Sequence, residues 1–195
     1  MGLFCVSISL QRNRVSDPEI VFTVTNSLPS DRISANFTLR ELCKSEIATR
    51  RGIDNRFKTD AQIQAAVFLA RNVLQPLRDR FGPFTPNSVF RSQELERALK
   101  KKPKSWNSRS QHTLGEAADI EIPGLTTLKL AEWCRDNLLF DQIIAEMYEP
   151  DEPSSGWVHI SCTNRRVNRV QLLSYIPDNS GKYIYVPGFR ANASM

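Results

Sequence analysis

The stretch between Thr59 and Gly82 has the clearest periodicity in the chain. Its apolar residues recur at steps of three and four, the spacing that places side chains on one face of an α-helix. They are Ile63, Ala66, Val67, Ala70, Val73, Leu74 and Leu77. Thr59 and Gln62 form a capping-box pair, which satisfies backbone donors at a helix start. The pattern predicts the main helix of the fold, ending near Gly82.

Shorter runs on both sides of this helix predict a mixture of helices and strands. A second capping pair, Thr38 and Glu41, predicts a helix to about residue 49. Further helices are predicted over residues 93–100 and 127–137, and strands over residues 88–91, 117–122, 141–147 and 157–161. Two apolar runs at 3–10 and 20–25 predict an N-terminal hairpin or arm, and those at 170–175 and 183–186 predict a C-terminal hairpin.

Composition narrows the class of protein. A chain of 195 residues that is 41% hydrophobic and 24% charged fits one globular domain with short extensions. Its net charge of +5 favours polyanionic surroundings such as nucleic acid, acidic lipid or the carboxylate-rich bacterial cell wall.

The four cysteines include no CxxC pair, so we expect reduced and mostly buried thiols. The first ten residues lack the basic start and apolar run of a signal peptide, and no apolar stretch approaches membrane-spanning length. We therefore expect a chain made in the cytoplasm without a membrane span.

The two histidines of the chain point to chemistry. Strand alternation puts Asp119 on the polar face of its strand, and it puts His159 on one face of the last predicted core strand with Trp157. Gly115 can turn the chain between His112 and Asp119. Two imidazoles and one carboxylate are a common ligand set for catalytic zinc, which leaves a fourth position for water. The sequence therefore predicts a Zn²⁺ site at His112, Asp119 and His159, although each histidine taken singly has the simpler interpretation of a partly buried side chain.

The same segments resemble the M15 zinc peptidases, the D-Ala-D-Ala carboxypeptidase and peptidoglycan endopeptidase group that includes many bacteriophage endolysins. The shared motif comprises Ser110, His112, Gly115, Ala117 and Asp119, followed by Trp157 and His159. Residues 36–42, 53–55, 90–92 and 140–146 look like further landmarks of the phage-associated branch.

The resemblance implies an α+β fold of the Hedgehog/D-Ala-D-Ala-peptidase type, a small antiparallel sheet with packed helices. It covers about residues 36–175, between an N-terminal arm or hairpin at 1–35 and a C-terminal hairpin and tail at 176–195. It also implies that the motif's two histidines and aspartate hold the zinc and that Arg91 stabilises the oxyanion, a role that suits the fixed charge of a guanidinium.

The general base is less clearly marked. Many M15 enzymes have an acidic residue three positions before the second histidine, where this chain has Gly156. We favour Glu146 at the end of its predicted strand, and Asp151 and Glu152 are the alternatives. Cys162 follows His159 closely, but adjacent Ser161 shares the histidine's face of the strand, so we interpret Cys162 as a packing residue.

These features predict a zinc peptidase that hydrolyses a stem-peptide bond of bacterial peptidoglycan and acts as a monomer. The basic runs, residues 100–104 together with Arg165, Arg166 and Arg169, would favour an anionic wall or simply form a solvated surface. A catalytically weak fold with a virion structural or wall-binding role is one alternative. A nucleic-acid-binding domain is another, which leaves the histidine pattern unexplained, so we expect no nucleic-acid partner. Without a signal peptide, access to the wall would need a phage lysis route or carriage in a virion.

Overall fold

The structure is a computed structural model that describes residues 4–8, 22–26, 32–149, 152 and 155–190, with the backbone alone for the first two segments. Helices and strands are mixed along the chain, as the α+β prediction requires. In chain order they are β1 Phe4–Ile8, β2 Phe22–Asn26, α1 Leu39–Leu42, α2 Glu46–Arg51, α3 Asp60–Leu69, a π-helical turn Ala70–Leu74, α4 Gln75–Phe81, α5 Gln93–Lys100, a 3₁₀ turn Gln111–Leu114, β3 Ala117–Ile120, α6 Thr127–Asn137, β4 Gln142–Glu146, β5 Trp157–Ser161, β6 Gln171–Pro177 and β7 Tyr183–Pro187.

The main helix forms as predicted, with one local change. All seven apolar residues of the predicted face are buried. Thr59 and Gln62 make the capping box, and α4 ends at Phe81, directly before Gly82. The π-helical turn lies just before Pro76, which has no N–H and whose ring would clash with the carbonyl four residues earlier in a regular α-helix. The wider turn accommodates this proline without ending the helix.

The predicted helix from Thr38 to about residue 49 is in fact two short helices. Thr38 caps α1 as predicted, but α1 ends at Leu42. Ser45 then accepts a hydrogen bond from the Ala48 amide and starts α2. The prediction of one helix was wrong because the serine, a strong N-cap residue, begins a new helix where the pattern was read as continuous.

The main sheet of the fold has five strands in the order β3-β5-β4-β6-β7. Its pairs are antiparallel except β4 and β6, which are parallel, so the sheet is mixed rather than purely antiparallel. The parallel pairing arises because residues 162–170 lead the chain from the end of β5 around the start of β4 and into β6. Helix α6 packs against β4 and β5, and the opposite face of these strands borders an open cleft.

The remaining predicted strands have varied outcomes. β1 and β2 pair antiparallel, and the C-terminal strands β6 and β7 belong to the main sheet. Residues 88–91 do not form a named strand: Ser88 makes a single antiparallel bridge to Asp119.

In the described residues, no helix has both the length and the apolar character needed to cross a bilayer. Cys134 and Cys162 are buried free thiols and Cys43 is partly buried, whereas the side chain of Cys5 lies outside the described part.

Candidate metal centre and cleft

Three elements bring His112, Asp119 and His159 together at the floor of the cleft. The 3₁₀ turn holds His112, β3 holds Asp119, and the antiparallel register of β3 and β5 places Asp119 directly opposite His159. His112 Nε2 lies 3.1 Å from Asp119 Oδ1 and 3.2 Å from His159 Nδ1. His159 Nδ1 lies 2.9 Å from Asp119 Oδ1. The three side chains are buried, and their ligand atoms lie within 4.8 Å of one another, a group that can hold one metal ion.

The backbone around His112 explains its orientation. Gly115 ends the 3₁₀ turn with φ +77°, and a Cβ at this position would lie 2.6 Å from the Gln62 carbonyl oxygen of α3. Only glycine fits there, so α3 supports the turn directly. His112 Nδ1 lies 2.7 Å from the Val89 carbonyl oxygen. Because a carbonyl only accepts, Nδ1 carries the proton and Nε2 presents its lone pair to Asp119 and His159, the orientation of a metal ligand.

The electrostatic environment favours the ligand forms of His112 and Asp119. Burial lowers the pKa of His112, partly offset by the charge of Asp119, and so favours the neutral imidazole. Burial by itself would raise the pKa of Asp119, but the adjacent His112 and His159 outweigh it and hold that pKa well below its usual range. A neutral imidazole and an ionised carboxylate are the species that bind a divalent cation.

Arg91 lies on the wall beside this cluster. Its guanidinium donates to Ser88 Oγ at 2.7 Å, to Glu96 Oε1 at 3.1 Å and to Asp119 Oδ2. Its Nη2 is also 3.2 Å from His112 Nε2. The predicted oxyanion-stabilising arginine is therefore adjacent to His112 and Asp119, although residues 88–91 do not form the predicted strand.

Two buried residues that sequence reasoning did not select hold Arg91 in place. Asn55 donates to the Phe90 carbonyl at 3.0 Å and accepts from the Ser92 amide at 2.7 Å, so it binds the chain on both sides of Arg91. Glu96 has a fully buried side chain that is paired with the guanidinium. Burial raises the pKa of Glu96, but hydrogen bonds from Lys100 and Ser108 and the charge of Arg91 lower it overall. The signal available in the sequence was the motif at residues 53–55.

Glu146 also lines the cleft, at the end of β4. It pairs across the sheet with Trp157, two residues from His159 on β5. Its carboxylate makes no hydrogen bond within the described residues. Burial raises the pKa of Glu146, the nearby His159 partly offsets this, and Asp119 adds to the rise. A half-buried carboxylate with a raised pKa and no fixed partner is suited to exchanging a proton with a ligand in the cleft.

Gly156 has a packing role that the sequence did not reveal. Its φ is +66°, and a Cβ there would lie 2.1 Å from the Glu146 carbonyl oxygen. No acidic side chain fits at this position unless the end of β4 moves. The positions of Gly156 and Glu146 are therefore linked. The close approach that excludes an acidic side chain at residue 156 also brings the backbone at the end of β4 against the start of β5.

The other candidates from the sequence are Asp151, Glu152 and Cys162. Asp151 lies outside the described residues. Glu152 lines a separate depression beside Phe84 and Glu121, not the cleft that contains the histidines. Cys162 is completely buried, and burial raises the pKa of its thiol to about 12, as expected for a packing residue. Lys100 is the last residue of α5, which forms over residues 93–100 as predicted, and it pairs with Glu96.

The cleft has a volume of about 740 Å³, within the range of sites that bind small molecules or peptides. The family model for peptidase M15 matches residues 35–161, which include the histidines, Asp119, Arg91 and Glu146. The chain belongs to the M15 peptidase family. Comparison with curated proteins gives no match. M15 peptidases are zinc-dependent metallopeptidases, and the buried His-Asp-His cluster supplies a ligand set that fits zinc.

Proposed function

We propose that this M15 peptidase hydrolyses a stem-peptide bond of bacterial peptidoglycan, with bonds to D-amino acids as its preferred targets. The proposal covers both D-Ala-D-Ala-type carboxypeptidase and endopeptidase action of the kind found in endolysins. The observation that carries it is the convergence of His112, Asp119 and His159 on one open cleft that Arg91 and Glu146 also line. The cleft's arginines suit a carboxylate-rich wall.

In the proposed mechanism each residue has a distinct part. His112, Asp119 and His159 would hold zinc, which would supply Lewis acidity and lower the pKa of a water in the site to about 7. Glu146, with its raised pKa, takes the proton of the attacking water and later gives it to the leaving amine. Arg91 is fixed by Ser88 and Glu96 and stabilises negative charge that develops on the carbonyl oxygen.

The supporting experiment measures zinc and turnover together. Wild-type protein, His112→Ala and His159→Ala are assayed for bound zinc by mass spectrometry and for peptide products released from purified peptidoglycan. We expect both variants to lose zinc and hydrolysis, because removing one ligand from a three-ligand site releases the ion. Wild-type protein stripped by a chelator and reloaded with zinc is the control for metal-dependent recovery.

The same assay tests the alternative of a wall-binding or virion structural protein. Wild-type protein that binds zinc and sediments with peptidoglycan, yet releases no peptide fragment, would support that alternative. Full hydrolysis by either histidine variant would contradict the proposed site itself. Product masses identify the cleaved bond. We further propose that the enzyme acts as a monomer and reaches the wall through phage lysis or a virion.

A further inference from the structure

One end of the cleft contains a cluster of arginines that the proposed mechanism does not use. Residues 162–170 place it there by wrapping around Asp141, whose side chain is fully buried. Arg166 binds the Asp141 carboxylate through two nitrogens, at 2.6 and 3.0 Å. Arg169 binds it through two more, at 2.9 and 2.6 Å, and Gln111 donates at 3.0 Å. One buried carboxylate thus fixes two guanidinium groups.

The cluster has more positive than negative charge. Arg166 and Arg169 share Asp141, and Arg165 pairs with the buried Glu116. Arg109 lies two residues before Gln111, which contacts both Asp141 and Arg169, and it has no ion pair within the described part of the chain. All four arginines line the cleft. Four guanidiniums facing two carboxylates leave two uncompensated positive charges, and the side chains of the three paired arginines remain 46–47% exposed.

The cluster and Glu146 lie at opposite ends of the catalytic cleft. β4 begins at Gln142, beside Asp141, and ends at Glu146. His159 pairs with Ile144 in the middle of β4. Four residue steps along a strand span roughly 13 Å, so each end is about two extended residues from the histidines.

We propose that this arginine end of the cleft binds a carboxylate of the substrate, about two residues from the scissile bond and on the side away from Glu146. This inference rests on the proposed peptidase function and adds a substrate class, the acidic peptide, and a binding direction. Guanidinium groups form paired hydrogen bonds with carboxylates, and the buried Asp141 prearranges them, so little side-chain freedom is lost on binding.

A purely structural role does not account for the whole cluster. One bidentate guanidinium neutralises the charge of a buried carboxylate, yet Asp141 has two such partners. Each paired arginine also retains N–H donors that Asp141 and Glu116 do not use, since a guanidinium has five. These donors are available to a ligand in the cleft, and so is Arg109, which has no ion pair among the described residues.

Two carboxylates of a stem peptide have this chemistry: the terminal α-carboxylate and the free carboxylate of a γ-linked glutamate. The probes are four synthetic peptides, L-Ala-γ-D-Glu-L-Lys-D-Ala-D-Ala with both groups free, with either one amidated, or with both amidated. Dissociation constants are measured by calorimetry on zinc-loaded Glu146→Gln, so that binding is measured without turnover. We expect amidation of the recognised carboxylate to raise the dissociation constant about tenfold, as for loss of a charge-assisted hydrogen bond.

Protein variants provide the complementary arm. Arg109→Gln and Arg166→Gln, each in the Glu146→Gln protein, should weaken binding of the diacid about tenfold and leave binding of the diamide unchanged. Arg135→Gln is the matched control, because Arg135 pairs with Asp136 on α6 and does not line the cleft. If Arg166→Gln fails to fold because Asp141 is buried, Arg109→Gln and the amidated peptides still provide the test.

The outcomes separate this inference from the proposed function. Equal binding of all four peptides, or binding of none, overturns the carboxylate site. Equal binding with cleavage by wild-type protein overturns the carboxylate site and leaves the peptidase function intact. Tighter binding of the acidic peptides without cleavage by wild-type protein supports the carboxylate site and counts against the proposed reaction.

Discussion

The two ends of β4 each have a carboxylate, in opposite surroundings. Asp141, directly before the strand, is fully buried and accepts hydrogen bonds from Arg166, Arg169 and Gln111. Burial raises its pKa, but the two arginines outweigh burial and hold it well below its usual range. Glu146 at the other end has no such partners among the residues that the structure describes, and burial raises its pKa.

This difference separates a carboxylate that fixes structure from one that can react. A carboxylate whose oxygens are all bound to cations stays ionised and cannot exchange protons near neutral pH. A half-buried carboxylate without partners is easier to protonate and is free to contact a substrate. Pairs of acidic groups driven apart in pKa by their surroundings are typical of catalytic sites, with the group of raised pKa in the proton-transfer role.

The largest expected effect comes from Glu146→Gln. We expect kcat to fall about 10²–10⁴-fold with bound zinc unchanged, because the proton acceptor is lost and the metal ligands are not touched. The raised pKa of Glu146 means that its ionisation destabilises the fold as pH rises. The melting temperature at neutral pH should therefore equal or exceed that of the wild type, measured by circular dichroism.

Glu149→Gln is the matched control, since Glu149 is an exposed carboxylate just beyond the same strand. It should retain wild-type turnover. If Glu146→Gln stays fast while Glu152→Gln or Asp151→Asn loses turnover, the proton acceptor lies in the loop before β5 and not on β4.

A smaller effect is expected from Gly156→Asp, which places an acid three positions before His159. A Cβ here meets the Glu146 carbonyl oxygen, so we expect a loss of about 2–4 kcal/mol in unfolding free energy and reduced activity, not a gain. Urea unfolding and turnover measure the two effects. Gly124→Asp is the matched control, because Gly124 has φ +78° but open space around it. Higher turnover in Gly156→Asp would show that an acid is tolerated beside Glu146.

At the other end of the strand, Asp141→Asn should reduce stability more than chemistry. Removing this charge leaves Arg166 and Arg169 facing each other, and their partial exposure limits the expected loss to about 2 kcal/mol of unfolding free energy. The folded pKa of Asp141 is lowered, so its contribution is present above the unfolded pKa and is lost as pH falls. The stability gap between wild type and variant should therefore shrink below about pH 4, whereas a constant gap would contradict the ion-pair explanation.

The comparison also shows what the sequence could and could not predict. The apolar face of the main helix and the strand faces of Asp119 and His159 follow from local periodicity, and all formed as predicted. The break before Ser45 had a local signal, an N-cap serine, that a continuous pattern obscured.

Contacts between distant segments were not predictable from one sequence. Asn55 is 35 residues from its hydrogen-bond partner Phe90, and the Asp141 carboxylate is 25 residues from Arg166. The parallel pairing of β4 with β6 depends on the route of residues 162–170, for which no periodic pattern exists. Gly156 reads as a missing acid in the sequence, and its close approach to Glu146 becomes visible only with strand register.

The smallest effect, a shift in the pH dependence of kcat/KM, discriminates most finely between the two carboxylates. The ionised form of Glu146 accepts the proton, so activity should rise with pH through its pKa, and burial places that pKa above the usual glutamate range. The pKa of Asp141 is held low, so Asp141 stays ionised throughout this window. The acid limb should therefore be unchanged in Asp141→Asn and absent in Glu146→Gln. If the limb moves in Asp141→Asn instead, the titrating group is at the arginine end of the cleft, and the two carboxylates have exchanged the roles assigned to them.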